Sequence, residues 1–321
     1  MDKRVAIVGA PTSAGAFAVG QERAPAAIRA AGFVDMLFKA GLDVADYGDV
    51  AAWRWKPDRE NPRAQNVPGV LESAVAVAAL VSAALADKRV VVVLGGDCTV
   101  ELGTVVGHSD YVGRIGLLYF DMHADLNVPE SVMPGALDWM GLAHILGRPG
   151  TVDVLRRIGP DEPLLRPSQI LLFAHRSDQA TPWEWNEINR LSLPVISLEE
   201  VAQDPSAAAV RALQVMESCD RLLVHFDVDV IDFTDAPLSE NTGRNIGLRM
   251  ETALSALGSL LKSPRLSALT IAELNPQHSE STDSVLTVFV EGLANSVIGH
   301  FDWNPKNEHS NEGTKPKPAA S

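Results

Sequence analysis

A short segment that follows an apolar run carries three residues of types that commonly bind metal ions. Asp121, His123 and Asp125 occupy alternate positions, and alternate side chains of an extended backbone lie on the same face. Two carboxylates and an imidazole suit a divalent first-row transition metal. A solvated polar loop is the simpler interpretation, but these ligand types at this spacing favour a metal site.

A pair of carboxylates follows another apolar run. Asp227 and Asp229 again stand two residues apart, so they share a face if the backbone is extended. Like charges at close range raise each other's pKa and repel, and a bound cation would hold them together. Taken alone, this segment is equally well explained as an exposed acidic turn.

A third segment adds a thiol. Gly95 and Gly96 allow a sharp turn and a close backbone approach, and Asp97 and Cys98 follow them. Alone, this is better explained as an ordinary turn with a buried cysteine, since free cysteine usually behaves as a small hydrophobe. Together the three segments offer enough ligands for two metals that lie about 3.5–4 Å apart and share carboxylates.

Short apolar strands that alternate with helices must position these residues. Continuous apolar runs are typical of strands covered on both faces, as in a parallel sheet. The predicted strands are Arg4–Gly9, Asp43–Tyr47, Val90–Leu94, Ile115–Phe120, Ile170–Phe173, Pro194–Ser197, Leu222–Phe226 and Ala268–Glu273. The clearest predicted helices are Pro25–Ala31, Leu71–Ala86, Ser206–Cys219, Met250–Lys262 and Asp283–Ile298. Because ligands bind outside the carboxyl ends of strands in open α/β sheets, we expect the three segments to meet there.

Composition limits the classes of function. The chain has 321 residues and a formal net charge of −14, which argues against binding to nucleic acids or to anionic membranes. Two distant cysteines and a strand in place of a signal peptide predict a cytoplasmic location. The apolar run Ala74–Ala86 is too short to span a bilayer and predicts a buried helix. We expect one domain over residues 1–303, with a surface loop at Trp53–Gly69, and a disordered tail over 304–321.

At these motifs the sequence resembles the arginase/agmatinase (ureohydrolase) family. The family carries Gly-Gly-Asp-His, Asp-Ala-His-x-Asp-x-Asn and Ser-x-Asp-x-Asp-x-x-Asp-Pro, in that order. The corresponding segments here are GGDC (95–98), DMHADLN (121–127) and HFDVDVID (225–232). The opening VAIVGAPTSAG and the late AELNP (272–276) also resemble family segments. Three ordered motifs make the resemblance specific over roughly residues 4–300.

The resemblance implies a three-layer αβα fold around an eight-stranded, mostly parallel sheet, with two Mn²⁺ ions and a trimer or hexamer as the assembly. Carried over by position, the metal ligands are Asp121 and Asp227 as bridges, Cys98 and Asp125 at the first metal, and His123 and Asp229 at the second. Glu273 is expected to face the substrate's guanidinium or amidine group. Asp125 is expected to hydrogen-bond a metal-bridging hydroxide and to pass its proton to the leaving amine.

Cys98 departs from the family, which has histidine at this position. A thiolate adds a negative charge to a site whose aspartates already balance two divalent ions, and soft sulfur favours zinc or iron over manganese. We therefore expect altered or weaker occupancy of the first metal site. His225, two residues before Asp227, is expected to hydrogen-bond a ligand from behind.

Further departures concern the substrate. Asp138 stands where arginases have a histidine, and we predict a catalytic role for it, although a helix N-cap explains it equally well. Asn127 and Arg244 are predicted substrate contacts, with a solvated loop charge as the more economical interpretation of Arg244. Pro134 replaces a serine contact, so arginine itself is in doubt as the substrate.

The sequence thus favours a metal-dependent hydrolase that cleaves a C–N bond of a small guanidino or amidino compound and releases urea or an analogue. The alternative is a catalytically silent family member with a binding or regulatory role. A weaker alternative is a hydrolase that uses one metal at the His123 site only.

Overall fold

The computed structural model describes residues 3–133, 135–279 and 283–302. Its centre is a sheet of eight strands in which every neighbouring pair is parallel. The strands are β1 (Arg4–Gly9), β2 (Asp43–Asp49), β3 (Val90–Leu94), β4 (Ile115–Phe120), β5 (Ile170–His175), β6 (Val195–Ser197), β7 (Arg221–Asp227) and β8 (Leu266–Ala272). The predicted tail over 304–321 and Pro134 lie outside the described residues.

Helices connect the strands. In chain order they are α1 (Ala24–Ala30), α2 (Phe33–Lys39), α3 (Val67–Ala86), α4 (Val100–Val106), α5 (Gly141–Ile145), α6 (Asp153–Arg156), α7 (Pro182–Leu191), α8 (Leu198–Gln203), α9 (Pro205–Val215), α10 (Met250–Leu261) and α11 (Asp283–Asp302). Short 3₁₀ turns add to these, among them Asp138–Met140 and Val228–Val230.

The helices cover both faces of the sheet, which makes the three layers expected from the sequence. In β3, Val92 and Leu94 belong to one apolar core, whereas Val91 and Val93 belong to the other. This alternation follows from the two-residue period of a strand. Both faces are apolar because both are covered, and the continuous apolar runs in the sequence have this cause.

Several predicted boundaries were wrong by a few residues. The helix predicted to end before Gly32 does end there, but a second helix, α2, begins at Phe33, because Gly32 adopts a φ of 90° that turns the chain. The loop predicted over Trp53–Gly69 is shorter, since α3 begins at Val67 after Asn66 in a left-handed conformation.

Two of the described helices, Val67–Ala86 and the stretch Ser284–Asp302, are long and apolar enough to cross a membrane by length and composition alone. The length argument made from Ala74–Ala86 was therefore wrong. We interpret α3 as a core helix because of its position: it packs against β1, β3 and α4.

The strand order is β2-β1-β3-β8-β7-β4-β5-β6. The four central strands are therefore β3, β8, β7 and β4, which are distant in sequence but adjacent in space. Since all run parallel, their carboxyl ends meet at one edge of the sheet. The first two motifs and Glu273 directly follow β3, β4 and β8, and the third motif begins with the last three residues of β7.

Candidate metal centre

The turn after β3 is shaped by two glycines that have no room for a side chain. A Cβ atom at Gly95 would lie 2.5 Å from the carbonyl oxygen of Ile271. A Cβ atom at Gly96 would lie 1.7 Å from the carbonyl oxygen of Thr12. Next to them, Asp97 accepts hydrogen bonds from the backbone amides of Gly15, at 2.9 Å, and Thr99, at 3.0 Å. Asp97 thus fixes this turn to the loop after β1, and the turn delivers Cys98 to the sheet edge.

The first cluster of candidate ligands surrounds the Cys98 thiol. Its Sγ lies 3.0 Å from Asp227 Oδ2 and 3.4 Å from His225 Nε2. One donor atom each from Cys98, Asp121, His225 and Asp227 lies within 4.8 Å of all the others. All four side chains are buried. His225 therefore lies among the ligand atoms rather than behind them.

The second cluster contains Asp121, His123 and Asp229, whose donor atoms also lie within 4.8 Å of one another. His123 Nδ1 is 3.4 Å from Asp121 Oδ1 and 3.2 Å from Asp229 Oδ2. Asn241 donates to Asp229 Oδ2 at 3.3 Å. The two clusters share Asp121, as a binuclear site requires of a bridging carboxylate.

The carboxylates of these clusters have properties that a cation would satisfy. Asp121 Oδ2 and Asp229 Oδ1 are buried and have no hydrogen-bond partner among the described residues. A buried oxygen without a hydrogen-bond partner costs folding free energy. A bound metal ion would give each of these oxygens the partner that the neighbouring protein atoms do not. The donor set of carboxylate, imidazole and thiolate groups fits a divalent transition metal.

Burial and mutual repulsion also act on the protonation of the site. Burial raises the pKa of Asp227 well above its ordinary value, and the nearby Asp229 and Asp121 raise it further. Burial likewise raises the pKa of the Cys98 thiol, together with repulsion from Asp227. Burial opposes a charge on His123, but Asp229 and Asp121 outweigh it and raise the pKa of the imidazole. Two bound cations would instead lower the pKa values of the carboxyl and thiol groups in these clusters.

Asp125 lies beside the clusters rather than within them. Its Oδ2 accepts a hydrogen bond from the hydroxyl of Tyr119, and its backbone has a φ of 46° in the left-handed region. Burial and the charge of Asp121 raise the pKa of the Asp125 carboxyl well above its ordinary value. In this structure Asp125 is thus held by Tyr119, and its role as a ligand stays a prediction.

Glu273 closes the site from β8. Its Oε1 accepts from the Cys98 amide at 2.9 Å and its Oε2 from Gln21 Nε2 at 3.1 Å. Burial and the nearby Asp97 raise the pKa of Glu273. Its φ of 62° is strained for a residue with a long side chain, and strain of this kind is typical of functional sites. Glu273 therefore ties β8 to the turn that carries Cys98.

A cavity of about 280 Å³ opens over both clusters. Among the lining residues are the predicted site residues Cys98, His123, Asp125, Asn127, Asp138, Asp227, Asp229 and Glu273. Asp138 is buried within a 3₁₀ turn and accepts from the Trp139 amide at 2.9 Å. Arg244 does not line this cavity: it is exposed, and its guanidinium lies 5.0 Å from the centre of the Phe233 ring.

Sequence reasoning missed the side chains that wall the cavity. Phe17 and Trp139 form a tilted aromatic pair at 5.8 Å, and Glu184 and Glu240 add acidic groups. Phe17 lies in the loop after β1, where the rule that ligands bind at the carboxyl ends of strands could have drawn attention to it. In the sequence Glu184 is recognisable only as a helix-capping residue, because it forms a capping box with Thr181 at the start of α7. This pattern does not predict a place at the cavity.

Comparisons with known proteins agree with this fold and site. The model of the Arginase family matches residues 3–293. The arginase of Bacillus subtilis (strain 168) is 26% identical over 299 residues, which cover 91% of this chain and 98% of that protein. The arginase of Brevibacillus brevis is 30% identical over 240 residues, which cover 74% of this chain and 79% of that protein.

Solved structures give the same fold. A crystal structure of the Bacillus subtilis arginase has a TM-score of 0.81 at 24% identity and covers 93% of this chain and 99% of its own. A Bacillus subtilis formimidoylglutamase has a TM-score of 0.71 at 17% identity, and the match covers 93% of this chain and 88% of that chain. The predicted family and fold are confirmed: this chain belongs to the arginase family of hydrolases.

Proposed function

We propose that this chain is a metal-dependent hydrolase that cleaves a C–N bond of a guanidino or amidino compound, with two divalent metals at the clusters around Asp121. The observation that carries the proposal is the pair of ligand clusters that share Asp121 beneath one cavity. The names of its relatives, arginase and formimidoylglutamase, support the same reaction class.

Cys98, Asp121 and Asp227 would hold one metal, and Asp121, His123 and Asp229 the other. Bound divalent metals supply a water of lowered pKa, which is a nucleophile near neutral pH. The resemblance to the family suggests manganese, whereas the soft sulfur of Cys98 favours zinc or iron in the first position.

The chain's own residues position the substrate and move protons. A guanidinium is planar and delocalised, and the carboxylate of Glu273 at the cavity wall can pair with it and hold it over the clusters. Addition of water at the central carbon and rupture of one C–N bond require a proton to move from the water to the departing nitrogen. Asp125 lines the cavity beside both clusters and accepts a hydrogen bond from Tyr119, so its carboxyl lies where it can hold that proton briefly and then give it up. Asp138, also at the wall, is a second candidate for this task.

The cavity walls suggest which substrates fit. None of the described residues that line the cavity is Lys or Arg, whereas Glu184 and Glu240 are acidic and Phe17 and Trp139 are aromatic. A free carboxylate at the substrate's far end would therefore find no Lys or Arg side chain to pair with among these residues. We propose a substrate with an amine or an apolar tail, in preference to arginine or a guanidino acid.

A turnover screen tests the proposal. The purified chain, loaded separately with Mn²⁺, Zn²⁺, Fe²⁺ or Co²⁺, is supplied with agmatine, an aralkyl guanidine, arginine, 4-guanidinobutyrate and formiminoglutamate, and the release of urea or the corresponding amide is measured. Faster turnover of the compounds without a carboxylate supports the proposal, and preference for arginine contradicts the proposed substrate. No turnover with any metal favours the catalytically silent alternative. Trimer or hexamer assembly and a cytoplasmic location stay predictions.

A further inference from the structure

His225 differs from the other buried histidines in where its ring nitrogens point. His225 and Asp227 lie on the same face of β7, since they are two residues apart in a strand. The Nε2 atom is 3.4 Å from Cys98 Sγ, and it belongs to the cluster whose donor atoms all lie within 4.8 Å of one another. The side chain is 0% exposed, so this nitrogen faces the candidate ligands and not solvent.

The other ring nitrogen is held by a carboxylate. His225 Nδ1 lies 3.3 Å from Glu101 Oε2, and the ring stacks on Tyr119 at a centroid distance of 4.3 Å and an angle of 5°. Histidines that bind metals usually donate their second N–H to a carboxylate or carbonyl, which fixes the tautomer and the ring orientation. Glu101 and Tyr119 hold the His225 ring in this manner, with Nε2 directed at the cluster.

The spacing of the donor atoms fits a small tetrahedral ion. Zinc lies about 2.0–2.3 Å from nitrogen, oxygen and sulfur ligands, so the donor atoms of a tetrahedral site are separated by about 3.3–3.8 Å. Cys98 Sγ is 3.4 Å from His225 Nε2, which is within this range, and 3.0 Å from Asp227 Oδ2, which is slightly below it. The unpartnered buried Asp121 Oδ2 offers a fourth donor.

We propose that His225 binds the first metal directly, in a tetrahedral set with Cys98, Asp121 and Asp227, and that this site selects zinc. Cys98 in GGDC stands where the family motif has histidine, and His225 in HFDVDVID stands where it has serine, so two residues that differ from the motifs meet in space. Sulfur and imidazole ligands in a four-coordinate site suit zinc, whereas manganese prefers oxygen ligands in an octahedron. The carboxylate of Asp125 is not needed in this set and stays with Tyr119.

The inference rests on the proposed function for the presence of metal at the site, but its test does not use catalysis. The full chain is loaded with zinc, and X-ray absorption at the zinc edge counts sulfur and imidazole scatterers. We expect one sulfur at about 2.3 Å and two imidazoles per two zinc ions, from His225 and His123. In His225→Asn the imidazole count should fall to one, and in the control His108→Asn, at a buried histidine away from the clusters, it should stay at two.

A Glu101→Gln variant provides a second measurement that leaves the ligands in place. Loss of a carboxylate that orients a ligating histidine typically weakens metal binding about 10- to 100-fold, and competition with a chromophoric chelator measures this change. An imidazole count of one in the wild type, or equal counts in the wild type and His225→Asn, overturns the inference and leaves the proposed function standing. A chain that binds no zinc, manganese or iron overturns both.

Discussion

The carboxylate of Glu273 accepts a hydrogen bond of 2.9 Å from the backbone amide of Cys98, although 175 residues separate them in the sequence. This bond joins the end of β8 to the turn after β3, and so one residue predicted to face the substrate also fixes the position of a candidate metal ligand. Its other oxygen accepts from Gln21, which draws the loop after β1 into the same arrangement.

Replacement of Glu273 by glutamine should separate its charge from its shape. The amide oxygen can still accept from Cys98, but the negative charge that we propose pairs with the substrate's cation is lost. We expect kcat/KM for the best guanidino substrate to fall about 100- to 1,000-fold, as for the loss of one preorganised group in an active site. Metal content should change little, and Glu251→Gln, an exposed carboxylate on α10, should leave activity within about twofold. Activity of Glu273→Gln close to that of the wild type would contradict the proposed role.

The shared position of Asp121 predicts unequal effects of the acidic residues on metal content. Asp121→Asn alters both clusters, so we expect loss of both metals after dialysis, whereas Asp229→Asn alters one and should retain the other. Element analysis by mass spectrometry measures the metal-to-protein ratio. Asp178→Asn, an exposed carboxylate paired with Arg176, is the control and should bind as the wild type does. Two retained metals in Asp121→Asn would argue against a bridging carboxylate at this position.

Features that depend on neighbouring residues could be predicted from the sequence, whereas contacts between distant segments could not. Strand identity is local, and the apolar runs at Val90–Leu94 and Ile115–Phe120 predicted strands with the bounds that the structure has. Ligand spacing within a motif is also local, so Asp121 with His123 and Asp227 with Asp229 were identified from the sequence. Their binding of metal stays a prediction, although the structure brings them together.

Contacts between motifs are not local, and there the sequence predicted less. His225 was expected to hydrogen-bond a metal ligand from behind. In the structure its Nε2 lies 3.4 Å from Cys98 Sγ, a contact between two motifs that the sequence does not indicate. The aromatic wall of Phe17 and Trp139 was missed for the same reason: its two residues come from loops more than a hundred positions apart. Arg244 was considered for the cavity because it follows a motif, yet the structure places it over Phe233.

Two glycines with opposite surroundings offer a test of the turn after β3. Gly96→Ala puts a methyl group where the Thr12 carbonyl lies, and backbone atoms cannot easily yield. We expect a loss of about 1–3 kcal/mol in the free energy of unfolding, with weaker metal binding because Cys98 is displaced. Gly299→Ala, in α11, meets no atom within 4 Å and should stabilise the chain by about 0.5–1 kcal/mol. Urea titration measures both, and equal effects of the two substitutions would contradict this account of the turn.

Stability should depend on pH through His144, which is buried away from the cavity. Its Nδ1 lies 2.7 Å from the Met140 carbonyl oxygen, and its Nε2 accepts from the Val152 amide at 3.2 Å. Burial disfavours the charged ring and the nearby Arg156 cation adds to this, so the pKa of His144 is lowered to about 4 although the Met140 carbonyl opposes the shift. Unfolded histidine binds its proton near pH 6.5. Between these values the unfolded state holds more protons, and the free energy of unfolding therefore falls as the pH falls.

The contribution of His144 can be isolated because glutamine does not titrate. We expect His144→Gln to be less stable than the wild type at pH 7, since it fills the site less well. The difference should shrink by up to about 3 kcal/mol as the pH falls from 7 towards 4, because a shift of one pKa unit corresponds to about 1.4 kcal/mol. Urea unfolding of both proteins across this range, with metal removed, measures the difference at each pH. A difference that stays constant with pH would show that His144 titrates alike in the folded and unfolded chain.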